Sequence, residues 1–463
     1  MRSYIYLMCG LLLVMNLCDQ GKSLNPGMIL RVSTRGLNYA KDIALNNVRR
    51  SVSSISIPNQ SGSKYEIKNI RLTSFDLGST TFRLSSPNVF TPTVSGASIG
   101  FSLDWKVWKK IWFITLKEDG NARVSGRVSV SPSLVLSQQA GKPSFSAGAC
   151  SASVTNFNIK LGGNGWFFNW LYNLIVGLFE GSVRRNIEKS ICPAIQKALR
   201  EQNAKYLSTY TTNYPFFYGT NINLGLIKNP EVNNNGITAS LAGICYKNPS
   251  RGFPFLPPAV SPITPSTHMA KVSLSPYVVN TFLYTLWQNG KFTKEFTKVS
   301  LSNSLPIPLT ARALSVFIPS FRDYRDRSLK ITVRAPKAPR ATFSSAGIQV
   351  TGKFQLLVDV QGLGNKLTVD INLTFMTKLR VQNNLITGEV TAMTAVDTSS
   401  SGFPSTILNQ ILQTFISKLL LSPLNAAAGG GYKLPSYYGF AFENVSLQTK
   451  QNALEVGTDL RML

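Results

Sequence analysis

Alternation of apolar and polar residues with a period of two runs through most of this chain and constrains its fold more than any other feature. Residues 125–131 and 366–375 show it clearly, and successive side chains in such segments point to opposite faces of a β-sheet. Helical periodicity is rarer and occurs at residues 34–48, 166–199 and 404–421. Pro193 should kink or break the second helix, because proline lacks the N–H that a helix interior needs. The sequence therefore predicts an α+β fold in which strands dominate.

A proline-rich segment at residues 248–268 divides the chain. Its prolines include Pro249, Pro254, Pro257, Pro258, Pro262 and Pro265. Proline removes backbone donors and stiffens the chain, which favours a linker over a core element. Each half contains amphipathic helical material and many strands. The sequence therefore predicts two α+β domains, at residues 24–247 and 269–463.

The first residues have the pattern of a secretory signal peptide. Arg2 precedes an apolar run at residues 4–15, and cleavage is predicted after Ser23, which makes residues 1–23 the signal peptide. The run is too short to span a bilayer, and no later segment approaches about 18 uninterrupted apolar residues. We therefore expect a secreted, extracellular and soluble mature protein. Three sequons predict N-glycosylation of Asn59, Asn372 and Asn444.

The cysteines fit an oxidising compartment. Cys9 and Cys18 belong to the predicted signal peptide, and Cys150, Cys192 and Cys245 remain. Three cysteines predict one disulfide and one free thiol, and the residues alone leave three pairings open. A bridge between Cys150 and Cys192 would close a loop of about 40 residues and contribute roughly 4 kcal/mol in the chain-entropy model.

Three tryptophans and three lysines lie within nine residues, Asp104-Trp105-Lys106-Val107-Trp108-Lys109-Lys110-Ile111-Trp112. The chain carries 48 Lys+Arg against 21 Asp+Glu, a formal net charge of +27, so this segment favours an anionic, amphiphilic partner. The following strand runs into Asp119-Gly120, a strong turn signal, which predicts that the segment leads towards a hairpin tip. Two interpretations stay open, because both faces of the strand mix aromatic and cationic residues: a membrane contact, or tryptophans in a barrel core with lysines facing water.

Basic residues near this segment complete the candidate membrane-binding set. Its members are Arg49, Arg50, Trp105, Lys106, Trp108, Lys109, Lys110, Trp112, Lys117 and Arg123.

Candidate catalytic groups are few. His268 is the one histidine, and Gly96-Ala97-Ser98-Ile99-Gly100 fits a hydrolase pattern without the helix that a nucleophile elbow needs after it. Metal-ligand spacing and nucleic-acid-binding motifs are missing. We therefore predict no enzyme activity, no metal site and no nucleic-acid partner.

An ordered set of short segments resembles the bactericidal/permeability-increasing protein and lipopolysaccharide-binding protein family. The segments are Leu24-Asn25-Pro26-Gly27, Arg35-Gly36-Leu37-Asn38-Tyr39-Ala40, Ile55-Ser56-Ile57-Pro58, Asn223-Leu224-Gly225-Leu226, Phe253–Pro258, Met269–Asn280, Phe317-Ile318-Pro319 and Gly402-Phe403-Pro404. The resemblance implies an elongated boomerang of two similar barrels, each a twisted antiparallel sheet with a long helix, joined by a central sheet. It also implies that Cys150–Cys192 ties a strand to the long helix and that Cys245 is unpaired.

The resemblance implies a function as well. We expect a secreted innate-immune protein, monomeric, that binds lipopolysaccharide, phospholipid and anionic bacterial membranes and is antibacterial. It would need no cofactor beyond one bound phospholipid in an apolar pocket of each barrel. The alternative is an extracellular lipid-transfer protein that carries phospholipid or neutral lipid. The stretches at residues 52–57 and 161–165 lack the lysines that antibacterial family members carry, so residues 104–112 are the predicted replacement for those basic loops.

Overall fold

The structure is a computed structural model. It describes residues 25–52, 59–162, 173, 177, 184–207, 210–248, 252–260, 263, 267–296, 310–316, 318–324, 327–382, 385–397, 432–433 and 440–462. The chain divides into two compact units. The N-terminal unit comprises Val32–Thr211 and Lys228–Ala239, and the C-terminal unit comprises Met1–Arg31, Thr212–Ile227 and Ser240–Leu463. The predicted signal peptide lies outside the described residues.

One antiparallel sheet organises the N-terminal unit. The strands are β2 (Gln60–Gly62), β3 (Tyr65–Asp76), β4 (Ser79–Ser85), β5 (Val89–Ile111), β6 (Ile114–Gln139), β7 (Lys142–Gly162) and β10 (Glu231–Asn233), while β1 (Met28–Ser33) and β11 (Gly236–Leu241) each have residues in both units. Its described helices are α1 (Thr34–Val52) and α2 (Arg184–Gln202). The sheet order is β2-β3-β5-β6-β7, and β4 also pairs with β5.

The period-two pattern gives this sheet one apolar and one charged face. Residues on the first face form a buried cluster of Ile67, Leu103, Trp105, Val107, Ala122, Val124 and Ile159. Residues between them on β5 and β6, such as Asp104, Lys106 and Arg123, are exposed. Burial of apolar surface at about 25 cal/mol per Å² therefore fixes which face is interior.

A second antiparallel sheet organises the C-terminal unit. The strands of this unit are β8 (Asn213–Pro215), β9 (Asn221–Asn223), β12 (Ile244–Tyr246), β13 (Ala270–Leu274), β14 (Thr293–Phe296), β15 (Leu329–Arg334), β16 (Arg340–Ser344), β17 (Gly347–Val360), β18 (Gly364–Gln382), β19 (Leu385–Asp397), β20 (Tyr432–Lys433), β21 (Phe440–Lys450) and β22 (Ala453–Met462). Its described helices are α3 (Pro276–Gln288) and the short α4 (Ala311–Leu314). The main sheet order is β14-β15-β17-β18-β19-β20, with β16 on β17, and Phe321, Val358 and Val369 lie in its buried core.

The predicted helices have different outcomes. Helix α1 confirms the prediction over residues 34–48. Helix α2 covers the second part of the predicted 166–199 helix, and Pro193 lies inside it, so the predicted break is corrected. Contacts with β7 anchor α2 before the proline: the Glu188 carboxylate accepts a 2.8 Å hydrogen bond from Val154 N–H. The predicted helix over residues 404–421 lies outside the described residues.

The disulfide follows the pairing that the resemblance implied. Cys150 on β7 is bonded to Cys192 on α2, with their Cα atoms 5.8 Å apart. Cys245 is a free, fully buried thiol. Its backbone N–H donates to Thr281 Oγ1 at 3.0 Å, and its carbonyl accepts from Thr285 Oγ1 at 3.0 Å. Desolvation by burial raises the pKa of this thiol to about 12.

The C-terminal unit includes residues on both sides of the domain boundary predicted at residue 247. Strands β8, β9 and β12 precede that residue, yet they belong to the C-terminal unit. Side-chain burial is the reason, because Ile222 on β9 and Cys245 on β12 form one cluster with Val278 of α3. The start of the described chain joins the same unit through a 3.0 Å hydrogen bond from Ser275 Oγ to the carbonyl of Gly27. The compact units therefore divide the chain differently from the two domains predicted at residues 24–247 and 269–463.

The described part of the proline-rich segment lacks regular secondary structure, as a linker should, but it is docked. Residues 252–260 form no helix or strand. Phe253 and Phe255 contact Tyr284 of α3 edge-on, with ring centroids 5.7 and 5.9 Å from the tyrosine ring. Asn25 Nδ2 donates to the carbonyl of Pro257 at 3.2 Å. This stretch is therefore fixed against the C-terminal unit.

Candidate functional site

The hairpin of β5 and β6 ends in two exposed aromatic residues. The strands pair up to Ile111 and Ile114, so Trp112 and Phe113 form the turn, with Trp112 at φ 56°. The side chains of Trp112 and Phe113 are 87% and 83% exposed. The segment does lead to a hairpin tip, but the predicted turn at Asp119-Gly120 is corrected. We call Trp112 and Phe113 the aromatic tip.

Trp105 belongs to the core and not to a membrane-contacting surface. Its side chain is 4% exposed and packs with Ile67 and Val107. Its Nε1–H donates a 2.9 Å hydrogen bond to the carbonyl of Asn121, which satisfies the polar end of the buried ring. The core interpretation therefore holds for Trp105, and its assignment to the membrane-binding set is corrected.

Trp108 and Lys106 occupy the outer face of β5. Trp108 is half-buried, and its Nε1–H donates to the carbonyl of Ser63 at 2.8 Å. Lys106 is exposed, and the residues directly opposite it on the two neighbouring strands are Glu66 and Asp119. Glu66 is paired with Lys68 at 2.8 Å, so two lysines and two carboxylates lie close together here and Lys106 adds little to the positive potential of this face.

Two exposed lysines, Lys110 and Lys117, lie between Lys106 and the aromatic tip. Lys110 is opposite Thr115, and Lys117 is opposite Trp108. Among the residues that the structure describes, none forms an ion pair with either lysine. The ammonium groups of Lys110 and Lys117 are therefore available to an anionic partner near the aromatic tip.

The remaining candidate cations are dispersed. Lys109 lies on β5, and Arg49 and Arg50 lie on α1, but their side chains are outside the described residues. Arg123 lies ten residues from Phe113 along β6, which is about 30 Å at the rise of a strand. It is therefore not part of the aromatic tip; instead it lines a groove of about 480 Å³ together with Arg71 and Lys160.

The predicted glycosylation sites are accessible to different degrees. Asn59 precedes β2, Asn372 lies on β18, and both are exposed. Asn444 is also exposed, but its Nδ2 donates to Asp459 Oδ2 at 3.0 Å. The nitrogen that would carry a glycan at Asn444 is therefore engaged in the folded chain.

The two candidate catalytic residues, Ser98 and His268, do not lie in the arrangement that a hydrolase needs. Ser98 lies within β5, opposite Asp76 and Arg127 on its neighbouring strands, and not at the strand–helix turn of a nucleophile elbow. His268 Nε2 is 2.9 Å from Ser446 Oγ, whereas Nδ1 is 4.0 Å from Asp459 Oδ1, which is too long for a hydrogen bond.

No group of three or more His, Cys, Asp and Glu residues in the described part of the chain could hold a metal ion. No helix there is long and apolar enough to cross a membrane.

Comparison with solved structures defines the class of fold. The chain is similar to a crystal structure of lipopolysaccharide binding protein, with a TM-score of 0.61 and 21% identity over 95% of this chain and 100% of that one. This match confirms the predicted α+β class with two curled antiparallel sheets.

Family models then identify the family. The model "LBP / BPI / CETP family, N-terminal domain" matches residues 36–209, and the C-terminal domain model matches residues 219–462. The chain belongs to the LBP / BPI / CETP family. It is 22% identical to bactericidal permeability-increasing protein of Sebastes schlegelii, covering 98% of this chain and 99% of that protein. It is 24% identical to lipopolysaccharide-binding protein of Homo sapiens, covering 95% and 94%.

Sequence reasoning missed two features of this surface. Phe113 was not among the candidates, although Ile111-Trp112-Phe113-Ile114 is an apolar run between lysines and could have indicated an exposed tip. Arg71 and Lys160 lie far from residues 104–112 in sequence, and strand pairing alone brings them beside Arg123.

Proposed function

We propose that this protein is secreted and binds lipopolysaccharide and phospholipid of Gram-negative outer membranes, with antibacterial activity and without covalent chemistry. The observation that carries the proposal is the aromatic tip, whose side chains are 87% and 83% exposed, with Lys110 and Lys117 behind it. Membership of a family whose relatives include proteins named for binding lipopolysaccharide and for increasing bacterial permeability supports it.

The aromatic tip and its lysines match the two chemistries of an anionic membrane surface. Tryptophan prefers the boundary between water and lipid because its ring is apolar and its N–H is polar. Each lysine near an anionic surface contributes about 1 kcal/mol, and the contribution falls as salt rises. The side chains of Trp112 and Phe113 are largely exposed, whereas insertion into lipid would bury them.

A bound phospholipid in each barrel is the second part of the proposal. Val94, Val130 and Ala152 lie directly opposite one another on β5, β6 and β7, on the same face as fully buried Val154. All three are only half-buried. An acyl chain gains about 0.8 kcal/mol for each buried methylene, so an apolar row that the described residues leave half-covered is suited to lipid.

Vesicle binding tests the membrane part. We expect tight, salt-sensitive binding to vesicles that contain lipid A and weak binding to neutral phosphatidylcholine vesicles. Trp112→Ser/Phe113→Ser should weaken binding to lipid A vesicles about tenfold or more, and Lys110→Ala/Lys117→Ala should weaken it and reduce its salt dependence. Lys291→Ala/Lys366→Ala is the matched control, because both lysines are exposed in the C-terminal unit.

Two outcomes would contradict the proposal. Equal binding to both kinds of vesicle at physiological salt would favour the lipid-transfer alternative, and unchanged binding of the aromatic-tip variant would remove the tip from the site. Mass spectrometry of an organic extract of the purified protein tests the second part. Recovery of phospholipid is expected. A lipid-free extract would contradict the proposal of a bound phospholipid in each barrel, and it would not affect the proposal that the aromatic tip contacts the membrane.

A further inference from the structure

A groove of about 370 Å³ in the C-terminal unit combines aromatic rings with two cations. Helix α3 contributes Tyr284 and Trp287, which are three residues apart and therefore lie on one face of the helix. The docked proline-rich stretch contributes Phe255. Lys337 lies in the loop between β15 and β16, and Arg340 is the first residue of β16. Three separate parts of one compact unit therefore meet at this groove.

Hydrogen bonds to α3 hold the cationic wall of the groove in place. Trp287 Nε1–H donates to the carbonyl of Ala335 at 2.8 Å, just before Lys337 in the chain. Just after Arg340, Asn280 Nδ2 donates to the carbonyl of Ala341 at 3.0 Å, and Asn280 Oδ1 accepts from Ala341 N–H at 2.6 Å. Both ends of the segment at residues 335–341 are thus tied to one helix, so the shape of the groove does not depend on a bound molecule.

Aromatic contacts hold the second wall. The ring of Phe255 meets that of Tyr284 edge-on, with centroids 5.9 Å apart, and the rings of Tyr284 and Trp287 are 5.6 Å apart. All three side chains are half-buried. The groove therefore offers aromatic ring surface that is ordered and still accessible.

The two cations of the groove have no counter-charge in the described part of the chain. The side chains of Lys337 and Arg340 are exposed. No described carboxylate forms an ion pair with either of them, and the lining of the groove contains no aspartate or glutamate. Other exposed lysines of this unit do have partners, such as Lys353, which pairs with Asp370 at 2.9 Å. The groove therefore favours an anion, and the attraction is stronger beside apolar walls than in open water.

We propose that this groove binds a small molecule in which a flat aromatic ring carries a carboxylate. The ring packs against Phe255, Tyr284 and Trp287 in offset or edge-on contacts. The guanidinium of Arg340 is a planar fork of donors that matches a carboxylate, and Lys337 adds a second positive charge. A volume of about 370 Å³ is within the range of small-ligand sites. This site is independent of the aromatic tip and of bound phospholipid.

Titration of the intact protein at low salt, followed by one-dimensional NMR of the probe, tests the site. The probes are 2-naphthylacetate, the neutral 2-naphthylacetamide, the cationic 2-(2-naphthyl)ethylamine and the saturated decahydro-2-naphthylacetate. We expect 2-naphthylacetate to bind at least tenfold more tightly than the amide and several-fold more tightly than its saturated analogue. The amine should show no binding. Equal affinity for the acid and the amide, or for the acid and its saturated analogue, overturns the proposal.

Variants locate the binding and separate it from folding. Lys337→Ser/Arg340→Ser should weaken binding of 2-naphthylacetate tenfold or more, with an unchanged melting temperature, because both side chains are exposed. Lys291→Ser/Lys366→Ser is the matched control, since it removes the same charge from the same unit and should titrate like wild type.

A single variant decides the question if the double variant melts at a lower temperature. Lys337→Ser changes a residue outside the strands and should weaken binding of 2-naphthylacetate at least threefold. Trp112→Ser/Phe113→Ser should titrate like wild type, which separates this groove from the membrane contact. Wild-type affinity for 2-naphthylacetate in Lys337→Ser/Arg340→Ser, or in Lys337→Ser, overturns the proposal.

Discussion

The indole of Trp105 occupies the space that a side chain at Gly120 would need. The two residues are directly opposite on β5 and β6, and a Cβ built on Gly120 would lie 2.8 Å from Trp105 Cζ2. Aspartate followed by glycine is a turn signal, yet this glycine lies inside a strand because a buried ring crosses it. The same pair sets the inward face of the hairpin, and hence which lysines of β5 face outward.

Replacing Gly120 should destabilise the N-terminal unit. A valine at this position would collide with Trp105 and with the Gly162 carbonyl, which lies 2.6 Å from the Cβ position. Overpacking of this kind costs typically 1–3 kcal/mol, so Gly120→Val should unfold at lower urea, as measured by indole fluorescence. Asp119→Ser is the matched control, since the neighbouring side chain is exposed. Equal urea midpoints for the two variants would contradict the role of the glycine.

Removing the carboxylates beside Lys106 should strengthen binding to anionic vesicles. Glu66 and Asp119 are the cross-strand neighbours of Lys106, and each unit of charge near an anionic surface is worth about 1 kcal/mol. Glu66→Gln/Asp119→Asn should therefore raise affinity several-fold in co-sedimentation, and the gain should shrink at high salt. Lys106→Ala should weaken binding less than Lys110→Ala. The reverse order would show that Lys106 is the more exposed charge in the complex.

Loss of the disulfide should destabilise the fold. Cys150 and Cys192 are 42 residues apart, and a loop of that length contributes roughly 4 kcal/mol in the chain-entropy model. Cys150→Ala/Cys192→Ala should lower the free energy of unfolding by about that amount. Peptide mapping without reduction should recover the two cysteines in one linked pair and Cys245 unlinked. A linked peptide that contains Cys245 would contradict the assignment.

The buried thiol of Cys245 should make stability fall at alkaline pH. Burial raises the pKa of this thiol to about 12, whereas an unfolded cysteine titrates near ~8.5. Between these values the unfolded state loses a proton that the folded state keeps, so stability is lost as pH rises. The loss from this group is about 1.4 kcal/mol per pH unit. Unfolding free energies of wild type and Cys245→Ala, measured from pH 7 upwards, should diverge in this window, and parallel curves would contradict the shift.

The parts of the fold that the sequence predicted are those set by local periodicity. Helix α1 and the long strands were predictable because their apolar residues recur at a fixed period. The predicted break at Pro193 failed: α2 continues through that position, and Glu188 and the Cys150–Cys192 disulfide tie it to β7 just before the proline. The compact units differ from the domains predicted around residue 247 because Ile222 and Cys245 pack against Val278 of α3, and sequence composition does not reveal such contacts.

The candidate site was predictable in its chemistry and not in its geometry. The cluster of tryptophans and lysines indicated a surface for anionic amphiphiles. The exposed aromatic tip next to Lys110 and Lys117 is consistent with that interpretation. The turn position was missed because the sequence offers a local turn signal at Asp119-Gly120, whereas the register of two long strands places the turn at Trp112 and Phe113.

By itself, the sequence determined the class of the chain, its alternating strands, its basic charge and the segment that combines aromatic and cationic residues, because composition and spacing are local properties. Only the tertiary structure decided that Trp105 faces the core, that Lys106 lies between two carboxylates, and that Arg123 joins Arg71 and Lys160 in a separate groove. Those relationships depend on the register between strands distant in sequence, where a shift of one residue would turn every side chain to the other face.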